Sequence, residues 1–165
     1  MSGSRIRSLV VVCAGNICRS PMAEGLFKDR LAQHPVLKTI DVSSAGTIAY
    51  NGNLPNADTV EEMYERFGID ISQHRARLLS RGIETDIILT MDRVTTAEVE
   101  VLLAAIPVVM LGDYAGMGEE VADPYGGPRR GYRVAVEQIS RLVDAAVKRL
   151  GAEGQVNQFP DGDGD

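Results

Sequence analysis

Cys13 and Arg19 stand six positions apart in the run Cys13-Ala14-Gly15-Asn16-Ile17-Cys18-Arg19-Ser20-Pro21. An apolar stretch, Leu9-Val10-Val11-Val12, leads into it, and Ser20-Pro21 is a helix-start pattern. A strand, a tight loop in which Gly15 and Asn16 tolerate positive φ, and a helix N-terminus together make an anion-binding nest. The N–H groups of residues 14–20 converge on one point, and the helix end adds partial positive charge there. A thiol held at that point is expected to ionise readily, because those donors and Arg19 stabilise the thiolate. The guanidinium of Arg19 matches two phosphoryl oxygens bidentately, which a lysine does not. Cys13 is therefore read as a nucleophile and Arg19 as its oxyanion clamp. The plain alternative, an inert cysteine at a strand end, leaves Arg19 and Ser20-Pro21 without a purpose.

The elements that must position this loop are legible as alternating apolar runs and helical periods. Strands are expected over 9–13, 39–44, 86–91 and 107–111, each rich in Val, Ile or Leu and suited to burial on both faces. Helices are expected over 21–33, 58–67, 95–105 and 132–150, the last carrying Ala135, Ile139, Leu142, Val143, Ala146 and Leu150 as one stripe. Gly68 and Gly151 read as helix stops. The pattern predicts an α/β domain, a small doubly wound four-stranded parallel sheet with helices on both faces. Ligands of such sheets bind at the carboxyl ends of the strands. Residues 1–150 are expected to form one domain, and 151–165, with four Gly and four acidic residues, a disordered tail.

Composition removes several function classes. The 165 residues carry 17 basic and 23 acidic side chains, a net charge of −6, which is not the footprint of a nucleic-acid binder. Aromatics are 5% with no Trp, so base-stacking surfaces have little material. Two cysteines make neither a disulfide framework nor a structural zinc site, and no metal or other cofactor is expected. The N-terminal apolar run is too short for a signal peptide, and no stretch reaches the roughly 20 residues of a membrane span. A cytoplasmic monomer without membrane partners is the expectation.

The run from Val11 to Glu24 closely resembles the active-site loop of the low-molecular-weight protein tyrosine phosphatase family, and the likeness extends over nearly the whole chain. That resemblance implies a phosphorylated protein substrate, attack of Cys13 on phosphorus to give a cysteinyl-phosphate, and stabilisation of the transferring group by Arg19. Residues Ala14, Gly15, Asn16, Ile17, Cys18 and Ser20 would bind the phosphoryl group. The leaving phenolate needs a proton, and a carboxyl group is the usual source. Among many acidic residues Asp123 stands out in Asp123-Pro124-Tyr125-Gly126-Gly127-Pro128, a rigid turn ahead of the last helix. The family's acid loop reads Asp-Pro-Tyr, which implies Asp123 as proton donor and Tyr125 at the pocket mouth. The same match implies Tyr50 as an aromatic wall, Ser44 and His74 as partners of Asn16, and Asp92 as a supporting carboxylate. Cys18 is placed to protect Cys13 by a reversible disulfide.

Competing activities share the scaffold. Bacterial relatives that dephosphorylate arginine resemble this chain in the Asp-Pro-aromatic-Gly-Gly loop, but carry Thr where this sequence has Ile17, whose bulk suits an aryl phosphate. Arsenate reduction needs redox cysteines downstream, and none follows Cys18. A silent phosphate-binding or redox module would not need Cys13, Arg19 and Asp123 together.

Overall fold

A computed structural model describes residues 5–156. Its elements run β1 (Ser8–Cys13), α1 (Arg19–Ala32), a 3-10 turn (Leu37–Thr39), β2 (Asp41–Gly46), α2 (Ala57–Phe67), β3 (Ile87–Thr90), α3 (Arg93–Leu102), β4 (Val108–Met110), α4 (Leu111–Tyr114) and α5 (Arg129–Val156). The four strands form one parallel sheet in the order β2-β1-β3-β4. Parallel strands need crossovers, and the helices supply them on both faces. The expected α/β architecture is the one observed.

Alternation along β1 divides the core. Leu9, Val11 and Cys13 face the larger cluster, with Met22, Leu26 and Phe27 of α1 and Ile139, Leu142 and Val143 of α5. Val10 and Val12 face the smaller one with Val99 of α3. Each such aliphatic or aromatic side chain contributes about 1.5–3 kcal/mol on burial. Since β1 is flanked by β2 and β3, its carboxyl end lies where the chain leaves in opposite directions. A crevice opens at such a switch point.

Helix starts differ in a way that matters. The side-chain oxygen of Asn56 accepts from the N–H groups of Asp58 and Thr59 at the start of α2, and Asp92 accepts from the N–H of Thr95 at the start of α3. Cys18 precedes α1 with no side-chain cap, so the first N–H groups of α1 remain available to a ligand.

Two expectations need correction. Gly68 does end α2, in the left-handed region at φ 66. Gly151, however, lies inside α5, which continues to Val156. The helix goes on because Arg149 pairs with Glu153 at 2.8 Å and the Tyr114 hydroxyl donates to Glu153 at 3.1 Å. A Cβ at Gly151 would lie 3.3 Å from His34 Nε2, so glycine here serves close packing rather than termination. The expected disordered tail thus loses residues 151–156 to α5, and 157–165 lie outside the described residues. The short α4 has no period long enough to read.

Candidate functional site

Cys13 ends β1, and the loop after it is turned inside out by its neighbours. The carbonyl of Ala14 accepts from Ile48 N–H at 3.0 Å and that of Ile17 from Asn56 N–H at 2.9 Å. The carbonyl of Asn16 accepts from His74 Nε2 at 2.8 Å; a carbonyl only accepts, so Nε2 carries the proton. No peptide bond among the described residues is cis. In a trans peptide the next N–H points opposite to the carbonyl. Carbonyls drawn outward at 14, 16 and 17 therefore turn the N–H groups of Gly15, Ile17 and Cys18 inward.

Asn16 makes the turn possible. It is the single non-glycine residue at positive φ among the described residues, at 56°, and asparagine enters that region more readily than most. Gly15, expected to share this role, is not at positive φ. Fully buried, Asn16 donates through Nδ2 to Ser20 Oγ (2.8 Å) and Ser44 Oγ (2.9 Å), and its Oδ1 accepts from Arg77 N–H (2.9 Å). Ser44 in turn donates to Glu24 at 2.5 Å, while Ser20 Oγ lies 2.9 Å from Cys13 Sγ. Asn16→Gly removes these side-chain bonds without straining the backbone, whereas Asn16→Ala does both. The Ala variant is expected to be less stable than the Gly variant by about 1 kcal/mol, read from urea unfolding; equal stabilities would show that the left-handed turn carries no strain.

Arg19 is buried and held from one side. Its NH1 donates to Asp92 Oδ2 at 2.7 Å and to the carbonyl of Val121 at 2.8 Å, which leaves NH2 directed toward Asp123, 3.7 Å away. Burial pushes the Asp92 carboxyl up, but the Thr95 N–H and the Arg19 guanidinium more than offset it, and the group sits below the ordinary aspartate range. Asp92 thus performs two tasks, capping α3 and orienting Arg19.

The cleft above the loop has a volume of about 260 Å³ and holds Cys13, Arg19 and Asp123 together, with Tyr50 and Tyr125 at its mouth. The side chain of Asp123 is half exposed, and its Oδ1 accepts from Tyr125 N–H at 3.1 Å. Both tyrosines are mainly exposed, as walls of a slot must be. Cys18 also lines the cleft; its side chain is buried near Thr59, Tyr132 and Cys13, and that burial pushes its thiol up to about 11. Both cysteines are free thiols.

Every residue expected at the site is thus gathered around one loop. Sequence reasoning missed Val121, Asn56, Arg77 and Gly46. The first three act through backbone atoms, which leave no residue-type signal. Gly46 had one: a Cβ there would lie 2.4 Å from the carbonyl oxygen of Ala14.

Residues 8–156 match the family model described as "Low molecular weight phosphotyrosine protein phosphatase". The chain is 37% identical to a "Probable low molecular weight protein-tyrosine-phosphatase EpsP" of Ralstonia nicotianae, over 90% of this chain and 99% of the relative. The crystal structure of a low molecular weight protein tyrosine phosphatase from T. tengcongensis superposes with a TM-score of 0.78 at 31% identity, covering 86% of this chain and 98% of that one. The YwlE arginine phosphatase of Geobacillus stearothermophilus superposes at 0.82 with 27% identity, covering 93% and 97%.

Proposed function

Since the chain belongs to the low molecular weight phosphotyrosine protein phosphatase family, whose members are cysteine-dependent enzymes, we propose that Cys13 is its nucleophile, Arg19 its phosphoryl clamp and Asp123 its proton donor. One observation carries this assignment: Cys13, three inward N–H groups, the free edge of Arg19 and Asp123 all meet in a single cleft.

In this reading the Cys13 sulfur attacks phosphorus and forms the S–P bond as the P–O bond to the aryl oxygen breaks. Asp123 gives its proton to the departing phenolate. Water then attacks phosphorus, its proton passes to the Asp123 carboxylate, and the S–P bond breaks to release inorganic phosphate and the Cys13 thiolate. While Cys13 is a thiolate the Ser20 hydroxyl must be the donor of their 2.9 Å contact. Loop N–H groups and Arg19 receive the three equatorial oxygens, in place before the charge develops. Cys18, a protonated thiol at neutral pH by virtue of its burial, does not compete as nucleophile. A nucleophilic Cys13 needs a free thiol, which is why we place the enzyme in the reducing cytoplasm.

The substrate class follows from the walls. Tyr50, Tyr125, Ile17 and Ile48 line the cleft, an apolar slot suited to a phenyl ring between aromatic faces. Phosphotyrosine in a protein is the substrate this favours. The second reading, phosphoarginine, is favoured by likeness to the Geobacillus arginine phosphatase but lacks a hydroxyl at Ile17 to hold the guanidinium. Matched phosphotyrosine and phosphoarginine peptides assayed on wild type and Ile17→Thr decide between them. Wild type is expected to prefer phosphotyrosine, and Ile17→Thr to move the kcat/KM ratio toward phosphoarginine by about tenfold or more. A wild-type preference for phosphoarginine overturns the choice.

A further inference from the structure

The acid segment 123–128 is anchored at both ends, and only one anchor belongs to the phosphate site. On its N-terminal side, the carbonyl of Val121 is bound to Arg19. On its C-terminal side the next residue is Arg129, the first of α5, whose side chain turns to α2. There Nε donates to Glu62 Oε1 at 2.7 Å and NH2 to Glu65 at 3.3 Å, while NH1 meets Glu61 and lies 3.6 Å from Asp58. Glu62 is 2% exposed, and Arg133 of the same helix approaches it at 3.6 Å. A carboxylate so far from water is held by its cations.

The helix that receives Arg129 also backs the phosphate loop. Asn56, which caps α2, gives its N–H to the Ile17 carbonyl. Tyr132, in the same first turn of α5 as Arg129, is buried in the core beside Cys18. Arg129, with Arg133 beside it, therefore fixes the start of α5, where the acid segment ends, against the helix on which the phosphate loop rests. Between Asp123 and Arg129 the backbone has little slack, with Pro124 and Pro128 at fixed φ and Gly126 in a turn at φ 80.

We propose that Arg129 is a positioning residue for proton transfer: held by Glu62, it sets where the Asp123 carboxyl stands relative to the leaving-group oxygen, without touching the substrate. The inference rests on the reading of Asp123 as proton donor. Arg66 and Glu137 provide an internal control, because their 2.9 Å pair joins the same two helices farther from the acid segment.

The test compares kcat/KM for phenyl phosphate, whose leaving group needs the proton, with p-nitrophenyl phosphate, whose leaving group needs it less. Arg129→Gln is expected to lose about tenfold on phenyl phosphate, a fraction of the general-acid effect, and several-fold less on p-nitrophenyl phosphate. Arg129→Lys, retaining the charge, is expected to recover part of the loss, and Arg66→Gln to treat both substrates alike. In an Asp123→Asn background, Arg129→Gln should add nothing beyond twofold on either substrate. An equal loss on both substrates, or a full further loss on top of Asp123→Asn, overturns the proposal. If Asp123→Asn alone discriminates the substrates and Arg129→Gln does not, the proposal fails while the reading of Asp123 stands. If Asp123→Asn itself shows no discrimination, that reading falls and takes the proposal with it.

Discussion

Replacing Cys13 by serine is expected to reduce turnover of p-nitrophenyl phosphate by a factor on the order of 10⁶, the scale on which loss of a nucleophile is felt when the rest of a site is intact. Serine fits the space, since Cys13 is buried at the end of β1, so folding and phosphate affinity should survive. The oxygen it offers is a far weaker nucleophile than a thiolate, and Asp123, which holds the leaving group's proton in this step, is not free to take the hydroxyl's. The informative comparison is Cys18→Ser. Cys18 is a buried thiol that burial keeps protonated at neutral pH, and its replacement should leave the burst of p-nitrophenol and the acid-quenched phosphoenzyme in place. A phosphoenzyme that persists in Cys13→Ser at the wild-type rate, or disappears in Cys18→Ser, would reverse the roles given to the two cysteines.

Asp123→Asn should cost about 10²–10⁴ in kcat/KM for phenyl phosphate, the usual yield of a positioned general acid. Asparagine keeps the oxygen that accepts from the Tyr125 N–H and keeps the shape of the turn, but has no proton to give. Arg19 keeps its bonds to Asp92 and to the Val121 carbonyl, so competitive inhibition by inorganic phosphate should be unchanged. Loss of kcat/KM alongside retained phosphate binding is the signature of a group that acts on the leaving group rather than on the anion. If instead phosphate binding collapses with activity, Asp123 is holding Arg19 in place and another group supplies the proton. The half-exposed position of the carboxyl gives it access to water for the second step.

Most of the sheet was readable because buried parallel strands announce themselves as uninterrupted Val, Ile and Leu, as in Leu9-Val10-Val11-Val12 and Ile87-Ile88-Leu89. Strand β2 read less well: the expected 39–44 became Asp41–Gly46, because a Ser-rich end has no apolar signal and its pairing with β1 decides the register. Helix α3 begins at Arg93 because Asp92 caps it, a backbone role that the family resemblance, which implies only a supporting carboxylate, does not bring out. The grouping of the candidate side chains was legible: Cys13, Arg19 and Asp123, expected together, line one cleft. Cys13, Arg19 and Asp123 are unusual residues in unusual company. What escaped was the supporting backbone, such as the Val121 carbonyl on Arg19 and the Asn56 N–H on the loop, since any residue type supplies those atoms. Gly151 misled because glycine ends a helix and also lets a neighbouring segment come close, and only the bend at His34 tells the two apart.

Gly46 bears on how portable this loop is. The end of β2 presses so closely on the loop that a Cβ at position 46 would meet the Ala14 carbonyl at 2.4 Å and the Asn16 nitrogen at 3.0 Å. Together with the Ile48 and Asn56 N–H groups and the His74 ring that hold its carbonyls outward, this means the nine residues from Cys13 to Pro21 are not a cassette that keeps its shape by itself. Grafted onto the end of another parallel strand, the loop would lack the three neighbours that turn its peptide planes. The smallest transferable unit comprises two adjacent strands, the glycine that ends the second, and the two segments that grip the loop from behind.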